Sequence, residues 1–113
     1  MGCSLLGMTS LTPFDLDTAG VLTVRGGAQD GTELCISEPV TRIGRGLQAD
    51  FILEDPTVSR RHALILLRDG EAVLLDDNSL NGTWRNGERV EDAAVLRDGD
   101  LIRLGAATLR YLA

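Results

Sequence analysis

The 113-residue chain contains no lysine, so all 11 of its basic residues are arginines. Its 17 acidic residues give a net charge of −6, which argues against a protein that binds nucleic acid. An arginine side chain presents a planar fork of N–H donors that matches phosphate oxygens, whereas a lysine is a point charge. A GC-rich genome would also favour arginine codons, so the absence of lysine does not by itself identify a phosphate site.

Cysteine and histidine are scarce. Cys3 and Cys35 have neither a metal-binding spacing nor the pattern of a disulfide framework, so we expect two reduced thiols. With His62 as the single histidine, a zinc site built from cysteine and histidine is not expected. The composition therefore predicts no metal and no cofactor.

Long apolar runs are also lacking. No run approaches the roughly 20 residues that a membrane-spanning helix needs, and the N-terminal residues lack the basic start and apolar core of a signal peptide. Leu6 stands where a myristoylation signal has Ser or Thr. We therefore expect a cytoplasmic protein with no membrane partner.

The pattern along the chain predicts a single all-β domain with a short tail. Residues 1–19 have no periodicity, and we interpret them as a flexible tail. From residue 20 to residue 113, short β-like runs alternate with turn signals. No stretch of helical length shows a 3.6-residue apolar period without turn residues inside it. Asp69-Gly70 and Asn86-Gly87 are typical of two-residue hairpin turns. We predict strands at 21–25, 32–37, 41–44, 51–53, 62–67, 72–75, 83–85, 88–90, 101–104 and 108–112.

Three short clusters between predicted strands contain residue types that bind phosphate or peptide backbone. They are Gly44-Arg45, Ser59-Arg60-Arg61-His62 and Asn81-Gly82-Thr83. Binding a phosphorylated side chain requires a guanidinium, a hydroxyl and free backbone N–H groups on a rigid scaffold. The loops of a short β-sandwich meet at one end, which would bring the three clusters together.

In this order and spacing, the clusters resemble those of the forkhead-associated (FHA) domain, a β-sandwich module that binds phosphothreonine. The resemblance covers residues 21–112. It implies an FHA-type sandwich of ten to eleven short, mostly antiparallel strands with the binding loops at one end. It also implies a non-catalytic, phosphothreonine-dependent interaction module in Ser/Thr kinase signalling. The implied partner is a phosphothreonine-containing protein, either the kinase or its substrate.

The resemblance also implies roles for individual residues. Arg45 and Ser59 would contact the phosphate, Arg60 would add a second cation, and Asn81 would hydrogen-bond the peptide backbone. The family often has threonine where this chain has Leu80, and the missing hydroxyl predicts a lower affinity that Ser79 would offset in part. The implied phosphopeptide-binding residues are Arg45, Ser59, Arg60, Ser79, Leu80 and Asn81.

A second group of residues is expected to support the loops without touching the ligand. The resemblance makes His62 a buried side chain that hydrogen-bonds the binding loops, and neither a ligand nor a general base. Gly44, Gly82 and Thr83 would shape the turns around it.

Two other interpretations of these motifs are weaker. Ser59 and His62 lack the orienting acid and the sequence context of a catalytic triad, so we expect no catalytic residue. Residues 77–88 have the glycine and glutamate of a calcium loop. Their flanks are β-like, however, and Asn86-Gly87 places a hairpin turn inside the segment, so we expect no calcium site.

Two alternatives concern function. The first is a scaffold or regulatory domain of the same fold that binds partners without phosphate, which the unusual Leu80 keeps open. The second concerns the tail, where Thr9 and Thr12 precede acidic residues. If a kinase phosphorylated either threonine, the tethered tail could occupy the chain's own pocket and block partners. A tail without such a role is the simpler expectation.

Overall fold

The computed structural model describes residues 19–113, which form two β-sheets. The predicted tail, including Thr9 and Thr12, lies outside the described residues except for Ala19. The strands are β1 Gly20–Val24, β2 Glu33–Ile36, β3 Val40–Gly44, β4 Phe51–Ile52, β5 Ala63–Arg68, β6 Glu71–Asp76, β7 Thr83–Arg85, β8 Glu88–Arg89, β9 Ala94–Val95, β10 Leu101–Leu104 and β11 Ala107–Leu112.

The two sheets form a sandwich, as predicted. The six-stranded sheet has the order β2-β1-β11-β10-β7-β8, and the five-stranded sheet has the order β4-β3-β5-β6-β9. The β3–β4 pair is parallel, whereas the other strand pairs with a described register are antiparallel. Residues 19–113 contain no helix that is long and apolar enough to cross a membrane.

The core lies between the sheets and follows the two-residue period of the strands. In β10, Ile102 and Leu104 are fully buried, whereas the residues that alternate with them are exposed. In the opposite sheet, Ile65 of β5 and Leu74 of β6 are also fully buried. Burying one such side chain contributes about 1.5–3 kcal/mol to the stability of the fold. The packed core therefore provides the rigid base from which the loops project.

Both predicted two-residue hairpins are confirmed. Asp69 and Gly70 have φ angles of 53° and 81°, and Asn86 and Gly87 have φ angles of 50° and 85°. Positive φ at both central residues is what a type I′ turn requires, and it matches the twist of the flanking strands. These turns fix the registers of β5 with β6 and of β7 with β8.

Apart from shifts of one residue at other strand ends, the structure differs from the sequence prediction in three ways. The short strand β9 was not predicted, because two residues beside Glu91 and Asp92 show no alternation. His62 was predicted to begin a strand, but β5 begins at the next residue. Cys35 in β2 is disulfide-bonded, so the expectation of a reduced thiol at this residue is wrong. Cys3 lies outside the described residues.

Candidate functional site

The three sequence clusters lie on neighbouring loops that hydrogen-bond to one another. We call residues 45–50 the first loop, residues 53–62 the second loop and residues 77–82 the third loop. The backbone N–H of Arg45 donates to the Ser59 carbonyl at 3.0 Å, and that of Gly46 donates to the Arg60 carbonyl at 3.1 Å. The structure therefore brings the clusters together, as the sequence predicted.

Gly44 permits the first loop to lie directly against the second. A Cβ atom at this position would overlap the carbonyl oxygen of Arg60. Any other residue would push the two loops apart, because the contact is with backbone and not with the end of a flexible side chain. Gly44 thus sets the distance between the loops that carry Arg45 and Ser59.

Arg45 is anchored at one nitrogen and open at the other two. Its Nε donates to the Val58 carbonyl at 3.0 Å, which fixes the guanidinium against the second loop. Within residues 19–113 the two Nη groups have no hydrogen-bond partner. Arg60 is exposed, and its side chain has no polar partner among the same residues. Two cationic groups are therefore available to an anion.

Ser59 joins the second loop to the third. Its Oγ accepts a hydrogen bond from the Leu80 backbone N–H at 3.0 Å. A hydroxyl can both accept and donate, so its proton remains available to a ligand oxygen. The Leu80 side chain is 85% exposed, so this residue supports the site through its backbone and presents an apolar group beside it.

His62 connects the backbones of two loops from a fully buried position. Its Nδ1 accepts a hydrogen bond from the Ser59 N–H at 2.9 Å, and its Nε2 lies 2.8 Å from the Gly82 carbonyl oxygen. These partners assign a neutral ring with its proton on Nε2. Since both ring nitrogens bond backbone groups, the ring does not contact the Ser59 hydroxyl as a general base would.

Asp76, at the end of β6, organises the third loop. Its carboxylate accepts hydrogen bonds from the Ser79 hydroxyl, from the Thr83 hydroxyl at 2.6 Å and from the Ser79 N–H at 3.1 Å. Burial raises the pKa of Asp76, but the hydrogen bonds from Ser79 and Thr83 outweigh it, and the pKa lies below its ordinary value. Asp76 therefore stays ionised near neutral pH and holds the loop in shape.

The Ser79 hydroxyl points into this network. It donates to Asp76 and accepts from the Gly82 N–H at 2.9 Å, so both of its hydrogen-bonding roles are used within the loop. Gly82 has a φ of 89°, a left-handed conformation that favours glycine. The structure thus places Ser79 in loop support, where the sequence prediction had it binding the ligand.

Asn81 projects from the third loop toward solvent. Its Nδ2 donates to the Thr57 carbonyl at 2.8 Å, which leaves the Oδ1 atom available to a peptide N–H. The Thr57 hydroxyl in turn donates to Asp55 at 2.6 Å and accepts from the Ala106 N–H at 2.7 Å. Hydrogen bonds from Thr57 lower the pKa of Asp55. Thr57 therefore fixes Asn81 relative to the second loop.

Sequence reasoning missed Asp76, Asp55 and Thr57 as parts of the site. A signal for two of these interactions was present, because Asp and Asn side chains commonly cap backbone N–H groups two or three residues later. Asp55 bonds the N–H of Thr57, and Asp76 bonds the N–H of Ser79. Among residues 19–113, no group of three or more His, Cys, Asp or Glu side chains is arranged to hold a metal ion.

In a comparison with protein families, one family model matches the part of the sandwich that carries the three loops. A family model described as the FHA domain matches residues 41–105, a range that contains all three loops. The chain therefore belongs to the FHA domain family, and the expected family and fold are confirmed.

Two similar proteins are bacterial, and they are named as a regulator and as an inhibitor. The chain is 42% identical over 94 residues to the glycogen accumulation regulator GarA of Mycolicibacterium smegmatis, covering 83% of this chain and 59% of that protein. It is 39% identical over 95 residues to the oxoglutarate dehydrogenase inhibitor of Corynebacterium glutamicum, covering 84% of this chain and 66% of that protein. The chain thus spans about three fifths to two thirds of the length of these relatives.

A solved FHA domain studied for its phosphothreonine-dependent interactions is similar in structure. The TM-score is 0.77 at 38% sequence identity, and the match covers 83% of this chain and 95% of that domain. Most of the sandwich therefore has the same fold as an FHA domain whose interactions depend on phosphothreonine.

Proposed function

We propose that this domain is a non-catalytic module that binds phosphothreonine in a partner protein and acts in Ser/Thr kinase signalling in the cytoplasm. One observation carries the proposal. The guanidinium of Arg45 and the hydroxyl of Ser59 are each held by one hydrogen bond to a neighbouring loop and keep further donors free. Donors held in advance lose little conformational entropy on binding.

The proposed binding mode assigns one job to each loop. The Arg45 Nη groups and the Ser59 hydroxyl donate to phosphate oxygens, and Arg60 adds a second cation. The Asn81 amide oxygen accepts a backbone N–H of the peptide beside the phosphothreonine. Each hydrogen bond to a charged group is worth about 1.5–3 kcal/mol, so a few of them support an affinity in roughly the micromolar range, near −8 kcal/mol.

The partner in this proposal is a phosphothreonine-containing protein, either a Ser/Thr kinase or its substrate. A similar FHA domain with phosphothreonine-dependent interactions supports this assignment. The names of the two bacterial relatives, a regulator and an inhibitor, support a regulatory role without catalysis.

A second candidate function is a scaffold that binds partners without phosphate. Leu47 on the first loop and Leu80 on the third loop are 90% and 85% exposed. Exposed apolar side chains on binding loops are suited to contacts that need no charge. This alternative uses the same end of the sandwich but does not require the free donors of Arg45.

Calorimetry with one phosphopeptide pool and its dephosphorylated copy separates the two functions. We expect the phosphorylated pool to bind and Arg45→Ala to weaken binding at least tenfold, because charge-assisted hydrogen bonds are lost. Arg68→Ala is the matched control, since Arg68 is an exposed arginine on β5 that does not line the site. Equal binding of both pools supports the scaffold, and equal affinity of wild type and Arg45→Ala refutes the assigned pocket.

A further inference from the structure

The outer side of the five-stranded sheet is apolar, although it faces away from the core. In β5, Ala63 and Ile65 are buried in the core, whereas Leu64 and Leu66 alternate with them and are partly exposed on the outer side. An antiparallel sheet with one solvated side normally has polar residues at such outward positions. Here a set of outward residues on four strands is aliphatic, and we call it the outer aliphatic face. Its members are Val40, Leu64, Leu66, Val73, Leu75 and Val95.

The strand registers join these side chains into one continuous patch. A first row crosses four neighbouring strands, through Val40, Leu66, Val73 and Val95. Leu64 and Leu75 are opposite each other in the next row of outward residues, directly beside the first. A continuous apolar patch on the surface of a protein marks a site of interaction.

The outer side of the six-stranded sheet has a different character. Arg103 on β10 is opposite Trp84 on β7, and its guanidinium lies 4.9 Å from the centroid of the indole ring. Thr23 on β1 is opposite Arg110 on β11. Leu101 on β10 is also opposite Arg110 and is 39% exposed among these neighbours. Arginine and threonine side chains thus interrupt the apolar residues on this side, as expected for a surface in water.

Charged pairs border the outer aliphatic face at both ends of β5 and β6. At the hairpin between these strands, Arg68 of β5 is opposite Glu71 of β6, and both residues are exposed. At the other end, Arg61 precedes β5 and contacts Asp77, which follows β6, at 3.3 Å. In both pairs the positive charge is on the β5 side and the negative charge is on the β6 side. Exchanging β5 and β6 therefore places each charge over its opposite.

A two-fold axis that runs along the strands, midway between β5 and β6, makes this exchange. It stacks β5 of one copy on β6 of a second copy, so that Leu66 of each copy meets Val73 of the other. Arg68 of each copy then meets Glu71 of the other. Packed sheets lie about 10 Å apart, with strand directions within about 30° of each other. The face is thus self-complementary in apolar surface and in charge, which a two-fold contact between identical chains requires.

The size of the outer aliphatic face matches a weak dimer. Four strands at a spacing of about 4.8 Å, with about six residues of about 3.4 Å each, give a flat footprint of roughly 400 Å² per copy. Interdigitating side chains bury more surface than the flat footprint, so the dimer would bury roughly 1,000 Å² in total, at the lower limit for specific interfaces. Interfaces of this size are typically transient.

We propose that the outer aliphatic face binds a second copy of this chain and forms a two-fold dimer through the five-stranded sheets. The residues before Ala19 are a less direct occupant, because Ala19 hydrogen-bonds to Ile36 in the other sheet. Since the axis runs along the strands, the three loops of both copies lie at the same end of the dimer. The dimer would therefore offer two phosphothreonine sites side by side, a consequence that rests on the proposed function, whereas the dimer itself does not.

The test is sedimentation velocity of the full chain over a series of concentrations. We expect wild type to shift from monomer to dimer, with a dissociation constant of roughly 10–500 μM. Leu66→Lys should weaken association at least about tenfold, because it places a charge in an apolar contact twice per dimer. The matched control is Leu101→Lys on the outer side of the other sheet, which should keep the dissociation constant within about twofold of wild type. Thermal melts check that each variant folds.

An exchange of charges tests the proposed axis. Glu71→Arg should weaken association about two- to fivefold, because the new arginine faces Arg68 of the other copy. The double variant Arg68→Glu/Glu71→Arg restores opposite charges across the axis, so its dissociation constant should return to within about twofold of wild type. Non-reducing electrophoresis checks that the dimer is not linked through cysteine.

Three results would overturn the proposal. Wild type that stays monomeric at the highest concentration has no face that binds a second copy. In that case, melting of Leu66→Lys well below Leu101→Lys would mean that the residues before Ala19 cover the face, and equal melting would leave it to another protein. Equal dimerisation of Leu66→Lys and wild type would place the interface elsewhere. A double variant that stays as weak as Glu71→Arg would mean that the sheets do not meet about this axis.

Phosphopeptide binding by the same proteins is measured separately by calorimetry. A monomer that binds phosphothreonine peptides would overturn the dimer and leave the proposed function in place. A dimer that binds no phosphopeptide would do the reverse. The two failures are therefore distinguishable.

Discussion

His62→Ala is expected to destabilise the domain strongly, although the residue contacts no ligand in the proposed binding mode. The ring is fully buried and bonds the Ser59 N–H and the Gly82 carbonyl. Each polar group that loses its partner in a buried position costs about 1–3 kcal/mol. Loss of packing around the ring adds to this cost, whereas water entering the polar space offsets part of it. We therefore expect a loss of about 3 kcal/mol.

The matched variant is Ser59→Ala. It removes the acceptor of an exposed Leu80 N–H, which water can replace, so we expect a stability loss below about 1 kcal/mol. Phosphopeptide binding should nevertheless weaken markedly, because the hydroxyl donor is gone. The two variants thus separate a residue that supports the loops from one that contacts the ligand.

Urea denaturation at pH 7 measures the loss of stability in each of the two variants, provided that the dependence of the unfolding free energy on urea concentration has the same slope as in wild type. For a domain of this size, a loss of about 3 kcal/mol lowers the melting temperature by about 12–24 °C. The reasoning about His62 is refuted if His62→Ala lies within about 1 kcal/mol of wild type, or if Ser59→Ala is the more destabilised variant.

Four further outcomes are expected. Asp76→Asn should lower stability at pH 7 by about 1.5–3 kcal/mol. Because the folded pKa of Asp76 is below its ordinary value of 3.8, its stabilisation is present above that value and is lost as pH falls through the folded pKa. Denaturation across acidic pH should therefore show a weaker acid dependence in Asp76→Asn than in wild type, and an identical profile would contradict this role. Leu80→Thr should raise phosphopeptide affinity by restoring a hydroxyl, and calorimetry showing no gain would remove that explanation. Phosphothreonine should bind about fourfold more tightly than phosphoserine from burial of one methyl group alone, whereas equal binding of paired peptides would count against an FHA-type pocket. If the tail is self-inhibitory, phosphorylation of Thr9 or Thr12 should shift the NMR signals of Arg45 and reduce peptide binding, and unchanged spectra would exclude that mechanism.

Much of the fold could be predicted because its signals are local. Short β-like runs between turn signals located ten of the eleven strands, and the dipeptides Asp69-Gly70 and Asn86-Gly87 predicted two hairpins. The division of strands between two sheets and the parallel pairing of β3 with β4 depend on the path of the loops. No local pattern in the sequence specifies that path.

The site was predictable at the level of residue types and less so at the level of contacts. The clusters carrying Arg45, Ser59 and Asn81 do meet on neighbouring loops. The direction of the Ser79 hydroxyl was not predictable, because it depends on where the end of β6 places the Asp76 carboxylate. The hydrogen bond from Asn81 to Thr57 likewise spans 24 residues and follows only from the folded arrangement.

The third loop lies where the chain passes from one sheet to the other, since β6 belongs to the five-stranded sheet and β7 to the six-stranded sheet. The bond from His62 to Gly82 therefore ties the beginning of β5 to this crossing. A ligand held by the second and third loops would be released when the two layers separate, so its binding energy opposes opening of the whole sandwich. At a ligand concentration 100 times the dissociation constant, binding raises the free energy of unfolding by about 2.7 kcal/mol. Amide protons deep in both layers, far from the loops, would then exchange more slowly in the presence of the peptide.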